Sequence, residues 1–401
     1  MKILQINSYN FGSTGNIMVD LAEQARQRGH TCITACPDGR SMRIRKLEDH
    51  LYIGNPIGRN LHIKLAEFTG LNGCFSLVDT WRFLRKVRRI QPDVIHLHNL
   101  HNCYINLPIF FRFLKRSNIP VVWTLHDCWA FTGKCPHFDM IGCDRWKNGC
   151  HRCSQLSQYP ASKVDTTEKM WRWKKQWFTS VENLTIVTPS AWLGNLVKQS
   201  FLGKHSVKVI PNGIDLSVFQ PTRSEFRKKH KLEDKHILLG VAFAWDRRKG
   251  LDVFRTLAAR LDARFQVVLV GVSEEMIPQL PANILAIPKT RNPEELAEIY
   301  TAADLLVNPT REETLGLVNI ESLACGTPVV TFRTGGSPES LDDTCGSVVE
   351  KDDVDALIRE ILRVCKDRPY TTDHCRKAAE RFDKQDRFLE YCRLYEEIYD
   401  K

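Results

Sequence analysis

Residues 311–330, REETLGLVNIESLACGTPVV, place three glutamates around a glycine and an apolar run. Leu317, Ile320, Leu323 and Ala324 recur at helical spacing, and Gly326 stands where a helix commonly ends. Thr327-Pro328 then breaks the pattern before Val329 and Val330 open a strand. Glu313 therefore belongs to the loop feeding a helix, and Glu321 to the helix itself. A first-turn glutamate complements the helix dipole, but that accounts for one carboxylate and not for the pair.

The same alternation runs outward from this stretch. KILQINSY, TCITACP, DVIHLHN, PVVWTLHD, LTIVTPS and VKVIPNG are short apolar runs separated by helical patterns such as NIMVDLAEQARQRG and TWRFLRKVRRI. The series restarts with HILLGVAFA, FQVVLVGV, ILAIP, DLLVNPT and PVVTF. Near-continuous apolar strands between helices predict parallel sheets covered on both faces. Two successive α/β units are expected, joined near PNGIDLSVFQPTRS. At 401 residues each unit is long enough for its own core.

No run approaches the roughly 18 apolar residues of a membrane-spanning helix. The N-terminus lacks a signal-peptide cleavage pattern and reads as a first strand, so the expected location is the cytoplasm. The net charge of +10 is uneven: residues 1–200 hold 27 Lys+Arg against 14 Asp+Glu, residues 201–401 hold 30 against 33. An anionic partner is favoured on the N-terminal half. There KMWRWKKQWF (169–178) interleaves cations with tryptophans as interfacial helices do, or is a surface helix with buried aromatics. Most of the 14 cysteines, Cys32, Cys74, Cys365 and Cys392 among them, read as small buried residues. Cys135, Cys143, Cys150 and Cys153, spaced C-x7-C-x6-C-x2-C, are instead a candidate structural zinc site, with disulfides or free thiols as rivals.

Open α/β sheets bind ligands outside the carboxyl ends of their strands, and several polar residues fall there. Gly12 to Gly15 can offer backbone amides to a phosphate or form an ordinary tight turn. Arg247, Arg248 and Lys249 follow a strand and precede a helix, which suits a diphosphate. A helix starting at Leu315-Gly316 would favour the same phosphates. Glu313 and Glu321 would stand about 12 Å apart on one helix, too far for either glycosidase geometry, although Glu313 lies on a loop. Carboxylates also accept hydrogen bonds from sugar hydroxyls without proton transfer. His126-Asp127 ends a strand and is a functional histidine or a core histidine with a capping aspartate. His96 and His98 read as structural. Asp352, Asp353 and Asp355 read as helix capping rather than a metal site.

These residues resemble the retaining glycosyltransferases of family 4. Glu313 and Glu321 match the E-x7-E element, and ETLGLVNIESLACGTPVVTFRTGGSPE matches the donor-binding segment almost position by position. VIPNGIDLSVFQP matches the interdomain hallmark, KGLD the basic loop and WTLHD the N-domain histidine. WTLHDCWAFTGKCPHFDMIGCDRWKNGCHRC is further similar to transferases of exopolysaccharide and capsule assembly, of the colanic-acid type.

The resemblance implies an α/β GT-B fold with two Rossmann-like domains, residues 1–214 and 215–384, facing each other across a cleft. A C-terminal helix, 385–401, would be free to pack back on the first domain. It implies a hexosyltransferase moving sugar, with retention, from a nucleotide-diphosphate donor to a saccharide on undecaprenyl diphosphate, at the inner face of the membrane. Glu313 would bind donor hydroxyls, Glu321 the ribose, Lys249 and Arg248 the diphosphate, Gly12 would sit beside it, and His126 would contact the sugar. No metal would be needed for transfer, and no nucleic acid is expected. One departure is Ala244, where the family carries an arginine five positions before the lysine; Arg247 or Arg248 is the candidate substitute. The rival classes are a nucleotide-sugar epimerase of the same fold and a non-catalytic, zinc-bearing scaffold.

Overall fold

Six of the apolar runs and one further short strand form one all-parallel sheet: β1 (Lys2–Ile6), β2 (Thr31–Pro37), β3 (His50–Ile53), β4 (Val94–Leu97), β5 (Val121–Thr124), β6 (Leu184–Thr188) and β7 (Ser206–Val209), in the order β3-β2-β1-β4-β5-β6-β7. Every residue of β4 and β5 is buried. That is why these strands read as continuous apolar runs rather than alternating ones: helices cover both faces. The five runs of the second series and one more short strand form a second parallel sheet: β8 (His236–Val241), β9 (Phe265–Val270), β10 (Ile284–Ile287), β11 (Leu305–Asn308), β12 (Val329–Phe332) and β13 (Gly346–Val349), in the order β10-β9-β8-β11-β12-β13. The short edge strands β3 and β13 carry too little apolar signal to stand out in the sequence.

The computed structural model describes residues 1–38 and 49–400. Contacts divide the chain into Met1–Ile210 with Phe388–Lys401, and Pro211–Arg387. The sequence places the first break at 214–215; the contacts place it just after β7, because Ile214 bonds to Phe382 and Lys384. From Phe388 onward the last helix (Lys384–Tyr399) buries Phe388, Tyr391, Cys392 and Tyr395 against Ile3, Val94 and Val122 of the first sheet.

In the first sheet the chain runs outward one way from β1 and the other way from β4. In the second it does so from β8 and β11. Each pair is a topological switch point, where loops part and leave a crevice at the strands' carboxyl ends.

Candidate active site

In the Pro211–Arg387 unit, the loop after β8 carries Lys249 and the loop after β11 carries Glu313. Lys249 Nζ donates to Glu313 Oε2 at 2.8 Å, with both side chains about one-fifth exposed. Two features bring them together. Gly250 adopts φ +77° and passes so close to Pro309 that a Cβ would lie 2.6 Å from its atoms; only glycine combines that angle with that clearance. Arg311 is 7% exposed and clamps the basic loop. It donates to both oxygens of Asp252 at 2.8 and 2.9 Å, to Asp352 at 2.6 Å and to the Arg247 carbonyl. Sequence reading missed Arg311, since a cation whose partners lie more than 40 residues away leaves no local pattern.

The backbone of Glu313 is held from a third loop. Gly336 donates its N–H to the Glu313 carbonyl at 3.1 Å, and Gly335, at φ +56°, lies where a Cβ would sit 1.8 Å from that oxygen. The helix Leu317–Ala324 follows, with Leu315 buried and Gly316 in the left-handed conformation at its N-cap. No side chain caps this helix, so its first N–H groups are available to an anion. Glu321 lies on the same helix and accepts from Tyr300 O–H at 2.9 Å. Burial lifts its carboxyl to about 7, against the opposing pull of that bond. Arg248 is half-buried, 3.8 Å from Asp246, while Arg247 and Ala244 are exposed. Asp353 caps the helix Val354–Asp367 by accepting from Ala356 N–H at 2.8 Å, as the sequence indicates.

In the unit that begins at Met1, Gly12 opens the helix Gly12–Gln27 at φ +70° with open space around it. Gly15 lies against the backbone of Asn10, 2.7 Å from where a Cβ would stand. His126 and Asp127 follow β5 but do not form a dyad. Asp127 accepts from His101 Nε2 at 3.0 Å and from Trp129 N–H at 2.9 Å. Burial alone would raise Asp127, but the His101 contact and the other partners outweigh it and hold the carboxyl at about 2. His126 bonds instead to His98, Nε2 to Nδ1, at 3.1 Å. Burial lowers its pKa to about 4, so the ring is neutral near pH 7.

The helix Thr167–Phe178 turns Met170, Trp171 and Phe178 into the core and leaves Trp173 and Trp177 half-buried, which fits the reading of a surface helix with buried aromatics. It also buries Lys174, whose Nζ lies 3.5 Å from the Trp129 ring centroid and donates to the Thr132 carbonyl at 3.0 Å. The four cysteines of the candidate zinc site, Cys135, Cys143, Cys150 and Cys153, stand as thiols. Among the described residues no three Cys, His, Asp or Glu side chains converge so as to hold a metal ion, and all four thiols are free. Cys135, Cys143 and Cys150 pack against apolar core residues, and burial pushes the Cys135 thiol up to about 12 and Cys150 to about 11.

The family description "Glycosyltransferase Family 4" matches residues 14–218, and "Glycosyl transferases group 1" matches residues 222–385. The chain is 26% identical over 281 residues to "Putative colanic acid biosynthesis glycosyl transferase WcaC" of Escherichia coli (strain K12), covering 68% of this chain and 67% of that protein. It is 29% identical over 244 residues to a D-inositol 3-phosphate glycosyltransferase of Corynebacterium jeikeium, a match spanning 55% of each. Among solved structures, sucrose-phosphate synthase from Thermosynechococcus elongatus superposes with a TM-score of 0.73 at 19% identity, covering 99% of both chains. Anabaena HepE in complex with UDP-glucose superposes with a TM-score of 0.65 at 17% identity, covering 99% of this chain and all of that one. At such identities these likenesses speak for the fold. With two parallel Rossmann-like sheets and family matches along both, the chain belongs to the GT-B glycosyltransferases of family 4.

Proposed function

We propose that this glycosyltransferase moves a hexose, with retention at the anomeric carbon, from a nucleotide-diphosphate sugar to a saccharide carried on undecaprenyl diphosphate, in exopolysaccharide or capsule assembly. The observation that carries the reading is the Lys249–Glu313 pair beside an uncapped helix start. Each group neutralises the other at 2.8 Å, and a donor offers both a better partner: the diphosphate for the ammonium, sugar hydroxyls for the carboxylate. Arg248 and the amides near Gly316 add to the field on the leaving diphosphate, which suits a transition state that gathers charge there, with no bound metal required. Glu321 would take the ribose hydroxyls, Gly12 would lie beside the phosphates, and His126 would accept from a sugar hydroxyl. The likeness to the colanic-acid relative supports the exopolysaccharide assignment.

The acceptor's lipid implies work at an anionic membrane surface, at its cytoplasmic face. The surface that suits it best lies outside 169–178, where Trp171 and Phe178 are buried. Ile57, Leu61 and Phe68 of the helix Pro56–Thr69 are exposed, as are Leu77, Val78 and Trp81 of the helix Leu77–Ile90. The second helix also exposes Arg82, Arg85, Lys86, Arg88 and Arg89. A groove of about 530 Å³ beside it is lined by Trp81, Ile109 and Phe113 with Arg88, Arg112 and Arg116. Apolar side chains among cations are the composition that anionic lipid surfaces attract.

The test is a thermal-shift screen of UDP-, GDP- and ADP-sugars, starting from UDP-glucose. At least one donor should raise the melting temperature of the native chain and fail to do so for Lys249→Met. A screen in which no nucleotide sugar shifts the native protein contradicts the proposal.

A further inference from the structure

His126 does not stand alone at the end of β5. Behind it lies a row of buried polar side chains whose hydrogen bonds can be assigned one by one. Gln5, on β1, donates from Nε2 to Cys32 Sγ at 3.4 Å, which leaves its Oε1 as an acceptor for His98 Nε2 at 3.0 Å. His98 therefore carries its proton on Nε2. Its ring is 1% exposed, and burial, with His96 and His126 beside it, drives its pKa well below 6.5, so the ring is neutral and Nδ1 holds a lone pair. His126 Nε2 lies 3.1 Å from that Nδ1, with the two rings 8° from coplanar. A lone pair needs a donor, so the proton of His126 is on Nε2 and its Nδ1 is bare.

The second row behind these rings is equally determined. Thr124 donates to Tyr391 at 3.1 Å and accepts from His96 Nε2 at 2.8 Å, which leaves His96 Nδ1 to accept from Tyr395 O–H at 2.6 Å. His96 packs on His98 with ring centroids 4.2 Å apart, so the last helix holds the relay from below. Asp127, the sequence neighbour of His126, plays no part in this, because His101 and Trp129 occupy its oxygens.

We propose that Gln5 and His98 are positioning residues that hold His126 as its Nε2–H tautomer, so that Nδ1 can only accept a hydrogen bond from a sugar hydroxyl. His126 is then a hydroxyl acceptor that fixes the sugar and not a general acid. The tautomer assignment stands on the hydrogen bonds together with the neutrality of the buried rings; its consequence for transfer rests on the proposed contact between His126 and the donor sugar.

Nitrogen-15 NMR of histidine-labelled native protein reads the tautomers directly, with His126→Gln identifying the resonances of that ring. Between pH 6 and 8 both His98 and His126 should be neutral with the proton on Nε2. Gln5→Glu reverses the relay: a carboxylate there charges His98, whose Nδ1 becomes a donor, and the proton of His126 must move to Nδ1. Transfer should then fall about 10–100-fold, the loss common when a partner orienting a functional histidine is removed, while nucleoside diphosphate affinity stays within about twofold. Gln5→Leu serves if the charged variant does not fold, and should give His126 in mixed tautomers with a smaller loss. A native His126 protonated on Nδ1, or charged at pH 6, overturns the relay. A proton that moves in Gln5→Glu without loss of transfer leaves the relay standing and overturns the contact between His126 and the sugar.

Discussion

Glu321→Gln tests the energetic reading of the donor site through pH. Burial raises the carboxyl of Glu321 from an ordinary 4.5 to about 7. Between those values the folded chain binds more protons than the unfolded one, so stability falls as pH rises through that window and stays lower above it. The full difference corresponds to about 3 kcal/mol. Glu321 is half-buried and its charge is partly screened, so about 1–2 kcal/mol is the reasonable share. Glutamine has no proton to lose and can still accept from Tyr300 O–H. The variant should therefore match the native protein near pH 4.5 and melt roughly 3–6 °C higher at pH 8, given the size of this unit. Nucleotide binding should move the opposite way. Ribose hydroxyls prefer the carboxylate, so native affinity should rise from pH 6 to 8 while the variant binds weakly and without that dependence. Differential scanning fluorimetry and calorimetric titration of the nucleotide across pH measure both. Parallel melting profiles for the two proteins from pH 5 to 8 would refute the buried-carboxyl argument.

Glu313→Gln should abolish detectable transfer while nucleoside diphosphate affinity changes less than about threefold, since this side chain is assigned to the sugar; near-normal turnover removes that role. Gly335→Ala should lower both stability and transfer, because φ +56° is strained for alanine and its Cβ would meet the Glu313 carbonyl; the cost should reach about 1–3 kcal/mol, read from the melting temperature. Flotation with anionic liposomes should weaken with salt and with the combined Trp81→Ser, Arg85→Glu and Arg89→Glu changes. Binding that ignores salt and lipid charge rules the helix Leu77–Ile90 out as the membrane face.

Much of this arrangement was legible in the sequence for physical reasons. Buried parallel strands such as VIHL and VVWT are apolar without alternation, and polar residues at their carboxyl ends mark a crevice whatever the ligand. Glu313 and Lys249 were both singled out on that ground, although their 2.8 Å pairing was not. What stayed hidden depends on residues distant in the chain. The Arg311 clamp, the diversion of Asp127 to His101 and the relay from Gln5 to His126 each join different loops, and no local period encodes them. KMWRWKKQWF leaves two readings open because its tryptophans and cations are compatible with a lipid face or a core face. Only the packing of Trp171 and Phe178 decides between them.

Retaining transfer needs an acceptor and keeps the anomeric configuration of the donor sugar. The most direct measurement follows the anomeric proton by NMR while the donor found in the thermal-shift screen reacts with a lipid-diphosphate saccharide. Nucleoside diphosphate should be released only when acceptor is present, with a product whose anomeric configuration equals that of the donor. An inverted product contradicts retention, and free sugar with nucleotide release in the absence of acceptor contradicts transfer itself.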